Sequence, residues 1–319
     1  MPLPIGPILG ILSDNLRKRG SVLPLTKKAS TGWSKGLDIP KGGKTVLYTG
    51  HMYQLIPAID AMAGQMAMFE NSPITKLFGL GRFANKFVNM SFFMSLLAKK
   101  ELKQETNNVL RRIAKLLTKV GVSYGYLYGA ELYSGALVYD EGMDETFEKH
   151  ARKVFAMFRA NGVKTVITVD PHTTNMLREV YPKLISEFDI KVQSYLEVLA
   201  ENNPEAISKV SQEISIHDSC VYARYENIVD EPRKLLENAG VNIIEPELCG
   251  KSTHCCGGPI ESLFPTEAHR IATERVAQLQ GARDGAVTMC PICWVNLNKA
   301  SDGKFSVRDI TAVLEKAYV

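Results

Sequence analysis

The first 219 residues of this 319-residue chain contain no cysteine. All six, Cys220, Cys249, Cys255, Cys256, Cys290 and Cys293, lie in the last third. A disulfide scaffold is normally a short secreted chain, so that class is excluded. No run of about 18 apolar residues occurs, so no helix is expected to span a bilayer. The apolar start MPLPIGPILGILSD lacks a basic leading region and a small-residue cleavage site, and no secretory leader is expected. Neither sign of charge dominates, with 38 Lys and Arg against 34 Asp and Glu and a net charge of +4. No arginine-rich or aromatic-interleaved stripe is present, so nucleic acid is not an expected partner. These absences predict a cytoplasmic protein.

What is present is enough apolar sequence, 45%, for one large or two ordinary domains. The stretch FANKFVNMSFFMSLLAKK places Phe83, Phe87, Met90, Met94 and Leu97 at helical spacing, interrupted by Asn85, Lys86 and Asn89. It reads as a buried or partner-docking helix, or as a membrane contact through residues 83–97.

The chain divides into three parts. Residues 1–43 read as an irregular arm, with a short capped helix around SDNLRKRG closed by Gly20. Residues 44–205 open on the strand KTVLYTG and carry a helical insertion at about 54–118, with breaks expected at Pro73 and Gly79 to Gly81. The strand VKTVITVD and the helix PHTTNMLREVYPKL follow. Residues 206–319 repeat the order, with strands EISIHDSC, VNIIEPE and AVTM between helices. Strands alternating with helices predict α/β layers around a parallel sheet.

The two larger parts can be laid over each other. KTVLYTGH sits over EISIHDSC, LYGAELYSG over HCCGGPIES, and KTVITVDPHTTNML over DGAVTMCPICWVNL. This places His51 over Cys220, Tyr128 and Gly129 over Cys255 and Cys256, Asp170 over Cys290, and Thr173 over Cys293.

Without Cys249, which reads as a free structural thiol, the spacing is C-x34-CC-x33-C-x2-C. Each of these cysteines falls at the end of an expected strand or in the turn after it. Carboxyl ends of parallel strands share one edge, where ligands bind. Five thiolates brought to one edge suit iron, and adjacent thiolates suit neighbouring irons better than one tetrahedral zinc. Gly257 and Gly258 let the backbone approach a bulky cofactor and free N–H groups for its sulfur. A structural zinc site on four of the thiols remains the alternative. His217 and His254 flank two of the cysteines, as hydrogen-bond or proton donors to bound sulfur or as plain structural histidines.

The set HDSC, CCGG and CPICWVNL resembles the cysteine-rich CCG domain found in the B-type subunit of heterodisulfide reductase. Related iron–sulfur subunits serve anaerobic glycerol-3-phosphate dehydrogenase, glycolate oxidase and certain succinate dehydrogenases. The segments GKTVLYTGHMYQL and NGVKTVITVDPHTTNMLREVYPKL are similar to the family's other copy, so the resemblance covers residues 43–319. It implies a tandem pair of Rossmann-like parallel-sheet CCG domains, the first without its cysteines. It also implies one [4Fe-4S] cluster per chain, of noncubane type, on Cys220, Cys255, Cys256, Cys290 and Cys293. His51 and His172 of the first copy then read as structural.

The expected function is redox chemistry on a disulfide, persulfide or other thiol-bound sulfur substrate, in a heterodisulfide-reductase-like complex. The chain has no C-x2-C-x2-C run, so a ferredoxin-like subunit (C-type) and a flavin-containing subunit (A-type) are the implied partners. The alternatives are a quinone-linked electron-transfer subunit of a membrane-associated dehydrogenase and a non-redox zinc scaffold.

Overall fold

The computed structural model describes residues 3–23, 25–69, 72, 78–85, 97–261 and 263–319. Two four-stranded parallel sheets organise it. The first runs β2-β1-β3-β4, from β1 (Thr45–Tyr48), β2 (Gly125–Tyr126), β3 (Thr165–Thr168) and β4 (Lys191–Ser194). The second runs β6-β5-β7-β8, from β5 (Glu213–His217), β6 (Asn242–Ile243), β7 (Ala286–Thr288) and β8 (Val307–Asp309). The central strands are short and largely buried, as strands covered by helices on both faces must be.

The overlay read from the sequence carries into the pairing. It sets Val46 over Ser215 and Val166 over Ala286. Val46 pairs with Val166, and Ser215 pairs with Ala286. The chain is therefore a tandem α/β pair, each half with the same strand order and the same central register.

The two halves are packed as one body. One apolar cluster joins Val46 and Tyr48 to Cys256, Cys290 and Leu297, and a second joins Leu47 and Ile167 to Ile214 and Val287. Two hydrogen bonds cross between the copies at equivalent places. Tyr53 Oη donates to Asp309 Oδ2 at 2.6 Å, and Tyr222 Oη lies 2.8 Å from Ser194 Oγ. Tyr53 aligns with Tyr222. Asp309 and Ser194 each end a last strand and accept an N–H of the following helix, from Thr311 and Leu196.

Three expectations change. The arm is not irregular: a helix runs Ile5–Arg19 and another Lys27–Thr31. Ile8, Leu12 and Leu16 form its buried stripe, and Pro7 sits in the first turn, where its missing N–H costs nothing. Gly20 does close it, at φ +74°. Gly79 and Gly81 do not break a helix but lie inside Phe78–Asn85. The strands β4 and β8 were missed, because KVQS and VRD carry too little apolar sequence to read as strands. The break at Pro73 and most of the 83–97 stretch lie outside the described residues. Among those described, no helix is long and apolar enough to cross a membrane.

Candidate metal centre

The second sheet delivers the thiols. Past the end of β5 the chain turns through Asp218 and Ser219 to Cys220. Past β7 it reaches Cys290, the N-cap of helix Pro291–Ser301, with Cys293 in that helix's first turn. Pro291 at the first helical position pre-sets its φ and lacks an N–H that would go unpaired there. The loop carrying Cys255 and Cys256 closes the group from the side. No cysteine is in a disulfide.

The five thiols form one continuous set. Cys220 interacts with Cys255, Cys255 with Cys256, Cys256 with Cys293, and Cys293 with Cys290. Cys256, Cys290 and Cys293 are buried, whereas Cys220 and Cys255 are half-buried and mark the open side. Contacts from Cys220 and Cys256, with the Gly257 N–H, hold the Cys255 thiol well below its usual range. Cys249 stands apart from this set, near Glu245 and Arg233.

The glycines have two roles. Gly257 lies at φ +77°, and its N–H donates to Cys255 Sγ at 3.4 Å. A Cβ on Gly257 would meet the Ala268 carbonyl oxygen at 2.5 Å, and one on Gly258 would meet Ile292 Cγ2 at 2.2 Å and Cys256 Sγ at 3.3 Å. The missing side chains thus let the helices Pro265–Leu279 and Pro291–Ser301 close against the thiol loop.

His217 and His254 are placed differently. His254 is turned to the Cys255 carbonyl, at 2.9 Å from Nδ1, and to Glu274. His217 is fully buried, and a ring nitrogen lies within 4.8 Å of the Cys256 and Cys293 sulfurs. Its Nδ1 accepts from Arg275 Nε at 3.0 Å, so the neutral ring carries its proton on Nε2. That Nε2 is buried and has no partner. Burial, then the Arg275 charge, push this imidazole down to about 3, which keeps it neutral.

One residue near the thiols escaped the sequence reading. Arg275 is fully buried and makes no hydrogen bond to a carboxylate; its partners are His217, the Leu248 carbonyl, Gln278 and Thr253. The signal was there: Ala268, Ala272, Val276 and Leu279 form a buried stripe, and a lone arginine sits in it. His172 of the cysteine-free copy, read as structural, is indeed held by an acid. Its Nδ1 lies 2.9 Å from Asp140 Oδ2, and its side chain interacts with Cys290 across the copies. Burial acts to lower His172, but Asp140 and Cys290 outweigh it and hold the ring above its usual range.

The donor set fits an iron–sulfur cluster. All five donors are thiols, a buried N–H beside them is unpaired, and a buried guanidinium near them is hydrogen-bonded to no carboxylate, with Asp218 acting on it only through its charge. A cluster on thiolates is an anion and answers both needs.

The first copy's corresponding loops hold no thiol. Glu131, which sits over Gly258, accepts from the Thr49 N–H at 2.9 Å and from its hydroxyl. Burial raises its carboxyl to about 8 against those bonds. His51 Nε2, 3.9 Å from Glu131, and Asp170 Oδ2 are buried without hydrogen-bond partners.

The cysteine-rich domain (CCG) matches residues 96–178 and 214–298, just over half of the chain. The chain belongs to that family. It is 31% identical over 199 residues to a Bacillus subtilis protein named probable iron-sulfur-binding oxidoreductase FadF, covering 60% of this chain and 28% of that protein. It is 30% identical over 224 residues to the EtfAB:quinone oxidoreductase of Syntrophomonas wolfei, covering 64% and 31%. It is 29% identical over 166 residues to a subunit of the fumarate reductase (CoM/CoB) of Methanothermobacter marburgensis, covering 49% and 33%. The chain spans about a third of the length of these relatives. Family and donor set together support an iron–sulfur cluster and an oxidoreductase-type electron-transfer protein.

Proposed function

We propose that this chain is the iron–sulfur subunit of a heterodisulfide-reductase-like complex, acting on a disulfide, persulfide or other thiol-bound sulfur substrate. The observation that carries the reading is the unbroken set of five thiols drawn from three distant segments. A [4Fe-4S] cluster held on Cys220, Cys255, Cys256, Cys290 and Cys293 would supply one-electron transfer, of the noncubane form by likeness to the heterodisulfide reductase subunit. Cys256, Cys290 and Cys293 lie in the dry half of the site. Cys220 and Cys255 face the open half, where a small sulfur substrate approaches. The Gly257 N–H and His217 Nε2–H are hydrogen-bond donors for sulfur there. A ferredoxin-like subunit and a flavin-containing subunit complete the electron path. The boundary between the copies is placed at 205 and 206, between helix Tyr195–Asn202 and β5.

A second reading, a quinone-linked electron-transfer subunit, is supported by the similarity to the EtfAB:quinone oxidoreductase. One experiment addresses both. Anaerobically purified chain should be brown, contain iron and acid-labile sulfide in equal amounts, and give an EPR signal. Colourless protein carrying zinc would overturn both readings. Reduced chain that passes electrons to a quinone analogue but to no disulfide or persulfide would favour the second.

A further inference from the structure

Arg275 is an unusual residue to find sealed in a helix–sheet interface. A buried guanidinium normally sits against a carboxylate, because an uncompensated charge is costly there. Arg275 is 0% exposed and bonds only neutral acceptors. The nearest acid in sequence to the thiols, Asp218, is already taken by Arg233 at 2.8 and 2.9 Å. Arg275 acts on the thiols through one intermediary. Its Nε–H fixes the ring of His217, which leaves the unpartnered Nε2–H as that ring's spare donor, and a ring nitrogen lies within 4.8 Å of the Cys256 and Cys293 sulfurs.

We propose that Arg275 is the fixed counter-charge of the metal centre and the positioning residue for His217, and that the pair sets the centre's reduction potential. The proposal rests on the iron–sulfur reading above. Adding an electron makes the centre more negative. A buried cation and an aimed N–H stabilise that state more than the oxidised one, so they raise the potential. The backbone carbonyl of Leu248 and the side chains of Gln278 and Thr253 hold the guanidinium so that it cannot follow solvent. His217 transmits a hydrogen bond, not a proton.

The test is a potentiometric EPR titration of the intact, anaerobically purified chain. Iron and sulfide are counted first. Native chain without iron overturns the proposed function itself. With iron present, Arg275→Gln removes the charge and should lower the reduced-to-oxidised ratio at fixed potential at least tenfold, a shift of about 59 mV for one electron. Arg275→Lys keeps the charge and should recover most of that shift. Iron-loaded Arg275→Gln that titrates within twofold of the native chain overturns this proposal and leaves the iron–sulfur reading standing. Should Arg275→Gln not load iron, the decision passes to His217→Leu, which removes the aimed N–H and leaves the charge. A several-fold shift in the same direction supports the proposal, and unchanged titration with unchanged g-values overturns it.

Discussion

The two copies share a frame and differ in what they hold. Their central strands pair in the same register, their last strands cap the following helices alike, and Tyr53 and Tyr222 reach across at matching places. Yet the loops at the strand ends carry five thiols in one copy and none in the other. The difference shows that the sheet and its helices do not need the metal site. What the site needed was space and soft donors, and the first copy has refilled that space. Glu131 stands over Gly258, Asp170 over Cys290, and both are buried among hydrogen bonds from Thr49 and Thr173. The cysteine-free copy still bears on the thiol side, because its His172 interacts with Cys290.

The comparison breaks most sharply at the thiols. Cys256→Ser should abolish iron and visible absorbance, since Cys256 links Cys255 to Cys293, whereas Cys249→Ser should keep both. Equal iron loss in the two variants would mean the ligand set is wrong.

A smaller effect should appear in the first copy. Burial raises Glu131 to about 8, so the folded chain keeps its proton to higher pH than the unfolded chain does. That contribution is fully present below the ordinary carboxylate range and is lost as pH rises through about 8. Glu131→Gln should flatten this slope, on the order of a few kcal/mol between pH 5 and 9, read by denaturant unfolding at each pH. An identical slope in both chains would show that Glu131 is not the group responsible.

The smallest effect sharpens the symmetry. Tyr53→Phe takes the donor from Asp309 Oδ2 and leaves only Oδ1 held, by Thr311, and should cost about 1–3 kcal/mol, whereas Tyr222→Phe leaves a neutral hydroxyl that still has its Leu196 N–H and should cost about 0.5–1.5 kcal/mol. Equal losses by thermal unfolding would mean the two cross-copy bonds are alike in strength as well as in place.

Much of this was legible before any coordinates. The alternation of KTVITVD and AVTM with helical stretches gave away the parallel sheets, because buried parallel strands are written as short apolar runs. Cys220 and Cys290 marked the ends of β5 and β7, whereas Cys255 and Cys256, expected in the turn after a strand, lie in a loop well past β6. The polar strands β4 and β8 escaped notice because they have no such run. The second half of the arm's helix and its stop at Gly20 were legible, but its first half escaped because Gly6 and two prolines at its start resemble loop punctuation. His254 looked equivalent to His217 in sequence, each beside a cysteine segment. Only the fold turned one ring toward a glutamate and the other toward sulfur.

The amino-acid order by itself determined the donor chemistry, the tandem repeat and the loss of thiols from the first copy, since residue type and periodicity are local properties. Tertiary structure alone decided which groups surround the thiols. Arg275 and His172 reach them from 15 or more residues away, one on a packed helix and one from the other copy. No pattern along the chain encodes such meetings, because they depend on how separately specified elements close on a shared core.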